Sequence, residues 1–208
     1  KALWNSIKVG VITAIISTFI ALFAAKAFTR YRVKYSGLSY GALLLPFIIP
    51  EIIIAVAFIV IWTSMGLKLG LIPITIAHIL YCTPFCLLIL ISRMDGFDKS
   101  LEEASMDLGE NIFGTFWRVT FPLLLPGIIA SLLLSFVISF DEFILAFFLS
   151  SSDQTLPIYM WSQLRFPKKL PHVLALGAII IVATSFIVML SYWFRNLGQS
   201  NNNRGSHI

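Results

Sequence analysis

The chain has 208 residues, of which 58% are hydrophobic and 12% charged, and its mean hydropathy is +0.90. That balance excludes an ordinary soluble domain and makes this a membrane protein. The net charge of +5 does not mark a nucleic-acid partner, because the basic residues are scattered beside apolar runs rather than gathered into a stripe.

At about 1.5 Å per residue, a helix of about 20 apolar residues crosses a hydrocarbon core of about 30 Å. Runs of that length predict spans over 9–28, 40–63, 74–91, 123–149 and 173–194. The period-two alternation of a barrel is absent, so the fold class is an all-α integral membrane protein with five transmembrane helices visible.

The first span leads into FTRYRVKYSG, where Arg30, Arg32 and Lys34 follow Lys26. Basic residues in a short loop place it in the cytoplasm. Alternation then puts the Lys68 loop outside, the 93–119 loop inside, the loop at 150–172 outside and the tail inside. The second span carries Glu51 after Pro50 (LLLPFIIPEIIIAVAF). The third carries His78, Tyr81, Cys82 and Cys86; the cysteines lie one turn apart with no nearby acid or second histidine, so they read as small packing residues.

The cytoplasmic loop holds SLEEASMDLG, the densest cluster of acids in the chain. Ser100 with Glu103 fits a capping box, and Asp98 is a second candidate cap. Leu101, Ala104, Leu108, Ile112 and Phe116 recur at helical spacing while Glu102, Glu103, Asp107 and Glu110 take other faces. Gly109 should end this helix, Asn111 should cap a second, and Pro122 should open the next span. Interfacial helices are usually basic on their polar face. An acidic, protruding hairpin against the membrane instead suits a groove on a protein partner.

The fourth span is interrupted by Asp141-Glu142 (LSFVISFDEFILAFFLS). Ionisable groups at such depth face a pathway or a partner, or are bonded to a neighbouring helix. Glu51, Asp141 and Glu142 have no basic residue at their depth, which predicts a cationic substrate. His78 and Tyr81 are further path candidates, while Trp62, Tyr159 and Trp161 read first as membrane anchors. The Asn-rich segment 199–208 is expected to be a disordered tail.

No GxxxxGK[ST] occurs, nor GxSxG, HExxH or a Cys/His ligand cluster. Intrinsic catalysis and bound metal or cofactor have no visible apparatus. An intramembrane hydrolase using Asp141 and Glu142, or a passive channel, are the remaining rival classes.

Glu103-Ala104-Ser105, three residues, Gly109, nine residues, Val119-Thr120-Phe121-Pro122 resembles the EAA signature of ABC importer permeases, which reads E-A-A, three, G, nine, I-x-L-P. Ser105, Val119 and Phe121 are mild departures. The stretches PEIIIAV, IAHILYCTPF, SFDEFILAFFLS and TLPIYMWSQLR with LPHVLALG look like the spermidine/putrescine permeases of that class. The resemblance implies one permease domain over 1–198 in a bacterial inner membrane, with six helices in the full chain and the first lying before Lys1. It further implies a cytoplasmic coupling helix in which Glu103, Ala104, Ser105, Leu108, Gly109, Ile112, Phe121 and Pro122 meet an ATPase. The implied partners are a homologous second permease, a cytoplasmic ATPase dimer holding ATP and Mg, and an extracytoplasmic binding protein. Polyamine is the cargo the resemblance favours; iron, thiamine, an opine or a phosphonate would use the same machine.

Overall fold

A computed structural model describes residues 1–31 and 36–196. Arg32, Lys34 and the expected tail at 199–208 lie outside the described residues. Within them the chain is helical, with no strand.

Four helical runs are long and apolar enough to cross a membrane. They are α1 (Ala2–Arg30), α4 (Leu71–Asp95), the run Ile112–Asp141 and the run Pro167–Asn196. The third run joins α6 (Ile112–Thr115), a π-helical segment (Phe116–Thr120) and α7 (Phe121–Asp141) without a break. The fourth joins a 3-10 turn (Pro167–Lys169) to α10 (Leu170–Asn196).

The fifth crossing is not the straight span predicted over 40–63. It is two helices, α2 (Ser36–Ile48) and α3 (Glu51–Ser64), bent by 102°. Pro50 has no N–H to donate and disfavours helical geometry at Ile49, so the chain turns between them. The 14 residues of α3 reach about 21 Å, short of the core thickness.

The span predicted over 123–149 is also interrupted. Helix α7 stops at Asp141, Glu142 is extended, and a short α8 (Ile144–Leu149) follows. Helix α9 (Leu156–Gln163) then leads back to the last crossing.

A stripe of small residues organises the bundle. Asn5, Ser6, Val9, Gly10, Thr13, Ala14, Ser17, Thr18, Ala21 and Ala25 are buried on one face of α1, which packs against α4 and α7. Lipid supplies no hydrophobic drive for helix association, so close backbone approach and interhelical bonds must hold the pair. Accordingly Ser17 Oγ donates to the Ile79 carbonyl at 3.3 Å, and the Cys82 and Cys86 thiols donate to the Ser135 and Ser131 carbonyls, each at 3.7 Å. Both cysteines are free, buried packing residues.

Two apolar clusters flank this polar seam. One centres on Leu22, Leu87, Leu90, Met94 and Leu124, the other on Ile54, Ile74, Leu145 and Leu149. At the end nearer the second cluster, Lys1 pairs with Asp153 at 2.8 Å and Gly70 N donates to the Leu149 carbonyl at 2.9 Å. The loops after α3 and α8 therefore share one end of the bundle. The C-terminus of α1 and the acidic hairpin share the other, as alternation of the spans requires.

Candidate functional site

At the hairpin end, α5 (Ser100–Asp107) begins where Asp98 Oδ1 accepts from Ser100 N at 2.9 Å. That bond holds the exposed Asp98 carboxyl below the usual carboxylate range. The predicted capping box between Ser100 and Glu103 does not form, and Glu103 instead pairs with Lys99 at 3.4 Å. Gly109 ends the helix at φ +95°, a conformation that a Cβ disfavours. Asn111 caps the next turn, its Oδ1 accepting from Gly114 N at 2.7 Å.

The faces of the hairpin are the reverse of the simple amphipathic reading. Leu101, Leu108 and Ile112 are exposed, Leu108 at 88%, together with Ala104, Met106 and Phe113. Of the apolar set only Phe116 is buried, and the inward acid is Glu102, 7% exposed. Glu102 Oε1 accepts from Thr120 Oγ1 at 2.6 Å, and its Oε2 lies 3.0 Å from Arg30 Nε. The latter is a contact between opposite charges with the Nε–H off the oxygen direction. Ser105 Oγ meets Thr115 Oγ1 at 3.2 Å and so closes α5 onto α6. Phe121 is half-buried against Trp117, and Pro122 is exposed. Nothing in the local pattern marked Glu102; its partners lie on α1 and at the start of α7.

Near the other end, Glu51, Asp141 and Glu142 line a single cavity of about 440 Å³ together with Tyr81, whose hydroxyl donates to Glu51. The break in α7 permits this. On an unbroken helix the adjacent acids would diverge by about 100°.

The three acids differ in what already holds them. Glu142 is buried, its oxygens accepting from Leu145 N at 2.9 Å and Ala146 N at 3.1 Å. It thus neutralises the start of α8. His78 Nε2 lies 3.2 Å from Glu142 Oε2, its N–H off the oxygen direction, and His78 Nδ1 bonds Ser139 Oγ at 2.8 Å. His78 therefore stands behind Glu142 rather than on the cavity wall. Asp141 is exposed and neighbours Thr184 of α10. It also lines a second, apolar cavity of about 610 Å³ between α7, α9 and α10, with Phe140, Phe143 and Trp161. Trp62 is tied to the Lys68 carbonyl at 3.1 Å, and Tyr159 borders two other cavities near the bundle's outer end.

Membrane crossings broken at Pro50 and Glu142, acids gathered at the breaks and an exposed hairpin at one end describe a permease, the membrane subunit of a transport system. A family model described as binding-protein-dependent transport system inner membrane component matches residues 17–199, and the chain belongs to that family. It is the permease subunit of an ABC importer in a bacterial inner membrane, a transport subunit.

The chain is 30% identical over 192 residues to the spermidine/putrescine transport system permease protein PotC of Escherichia coli (strain K12), covering 92% of this chain and 72% of that protein. It is 31% identical to PotC of Haemophilus influenzae, covering 92% and 74%. The putrescine transport system permease protein PotI of Escherichia coli (strain K12) is 26% identical, covering 93% and 71%. A chain from the MetNI methionine ABC transporter in an inward-facing conformation matches with a TM-score of 0.69 at 16% identity, covering 91% of this chain and 94% of that one. That likeness shows the fold.

Proposed function

We propose that this permease carries polyamines, driven by a separate ATPase that docks on the α5–α6 hairpin. The observation that carries the reading is the cavity shared by Glu51, Asp141 and Glu142, whose lining holds three carboxylates and no basic side chain.

A polyamine is a chain of methylene groups bearing ammonium ions. Carboxylates favour the cationic ends, and apolar or aromatic walls suit the methylenes and the cations alike. Asp141 stands where the acidic cavity meets the apolar one. Because Glu142 already serves a helix start and a histidine, Glu51 and Asp141 are the acids available to cargo.

The hairpin suits a protein groove. Leu108, Ile112 and Phe113 are exposed apolar anchors beside Glu103 and Asp107, the pattern of a helix read by a partner. In this reading 1–198 is one permease domain and 93–119 its coupling loop. ATP and Mg sit on the ATPase dimer, a homologous permease completes the pathway, and a binding protein delivers cargo at the end bearing Lys1 and Asp153.

The test is purification of the membrane complex, followed by ATPase assays with candidate binding proteins carrying spermidine, putrescine or nothing. Stimulation by polyamine-loaded protein is expected. A copurified ATPase that no polyamine stimulates would keep the machine and discard the cargo.

A further inference from the structure

We propose that Glu102, Arg30 and Thr120 form the joint that couples α5, the first arm of the hairpin, to α1 and α4 as well as to α7, with which α6 is already continuous. This rests on the reading of the hairpin as the ATPase dock. It assigns a positioning role to residues that lie behind the docking face and away from the acidic cavity.

Glu102 divides its two oxygens between two crossings. Oε1 takes the Thr120 hydroxyl at the head of α7, and Oε2 faces Arg30 in the last turn of α1. Arg30 in turn reaches α4, its NH2 group donating to the Met94 carbonyl at 3.2 Å and the Phe97 carbonyl at 3.5 Å, with the guanidinium 4.8 Å from the Phe97 ring centre. Lys26, one turn earlier on α1, lines the same cleft as Glu102 and lies over the Phe116 ring at 4.5 Å. One carboxylate therefore gathers the inner ends of α1, α4 and α7 onto α5.

Two properties make this a joint rather than a surface latch. Both charged side chains are about nine-tenths buried, so parting them would strand an unpaired charge in a poorly solvated site. Without it, α5 is tied to α6 through the Ser105–Thr115 contact but reaches α1 and α4 only through the short turns at 96–99 and 108–111, the second pivoting at Gly109. Such turns bend, whereas the buried cluster forces α5, α1 and α7 to move together.

The test uses the complete transporter, with its ATPase, carrying spin labels at Leu3→Cys on α1 and Lys99→Cys at the head of α5. Both positions are exposed, while Cys82 and Cys86 are buried and remain unlabelled. With the joint intact, the label distance should be single and unchanged on adding ATP with Mg. In Glu102→Gln, and separately in Arg30→Gln, the ATPase should stay bound while the distance changes with nucleotide. Putrescine taken up per ATP hydrolysed should fall about fivefold or more. Thr120→Val, which removes the α7 tie but leaves the ion pair, should lower that ratio without moving the label distance.

An ATPase retained by Glu102→Gln and Arg30→Gln with an unmoved label distance overturns the joint alone. An unsubstituted permease that retains no ATPase overturns the docking reading and the joint with it.

Discussion

Glu102 and Glu103 are adjacent on α5, yet one is buried and the other exposed. Glu102 turns into the protein against Arg30, and Glu103 turns outward, meeting Lys99 at 3.4 Å. The two acids should therefore fail differently when replaced.

Glu103→Ala should leave the thermal unfolding of the detergent-solubilised permease nearly unchanged, because an exposed pair contributes about 0–1 kcal/mol. It should weaken retention of the ATPase. Glu102→Ala should destabilise the permease by roughly 3–5 kcal/mol, since Arg30 would keep its carbonyl acceptors but be left buried without its counter-charge. Equal melting temperatures for the two variants would contradict this assignment.

Gly109 tests the hairpin through its backbone alone. A Cβ there would meet nothing within 4 Å, so the cost of substitution comes from φ +95° and amounts to about 1–2 kcal/mol for most residues. Uptake should follow the order Gly, Asn, Ala, Val, because Asn tolerates this region better than Ala does. Wild-type uptake by Gly109→Val would show that the turn geometry is dispensable.

The carboxylates of the acidic cavity should separate into two groups. Glu51→Gln and Asp141→Asn should slow polyamine uptake while the complex still assembles. Glu142→Gln should lower stability by about 1–3 kcal/mol, because one oxygen that accepts a backbone N–H becomes an NH2 donor. Quantifying the assembled complex beside uptake distinguishes the cases; loss of assembly in Asp141→Asn would make that residue structural too.

Gly10 sits where α1 crosses α7. An added Cβ would lie 3.0 Å from the Phe136 ring, and Gly10→Val should destabilise the bundle by about 1–3 kcal/mol through overpacking. A melting curve unchanged by Gly10→Val would mean that the helices separate freely at this crossing.

Local chemistry made much of this molecule readable from its sequence. The apolar runs located all five crossings, Gly109 and Asn111 announced the hairpin turn, and the spacing from Glu103 to Pro122 marked the family. Pro50 and Asp141-Glu142 marked where the two spans could break, but not how sharply, because the apolar residues on either side fit a straight crossing as well as a bent one. Glu102 was illegible for another reason. An acid on a short amphipathic helix ordinarily faces water, and what reverses it is an arginine at the end of another helix. The cavity acids were legible as residues, but their division of labour was not, since it depends on which carboxylate meets the free amides of α8.

The start of α8 is closed by the chain itself. Free amides at a helix start attract negative charge, and an importer for anions would find such a place useful. Here the Glu142 carboxylate already occupies the amides of Leu145 and Ala146. Those amides are filled from within, and Glu51 and Asp141 stand in the cavity beside them. The side chain that fixes the bend in the backbone thus also takes up the amides that the bend exposes.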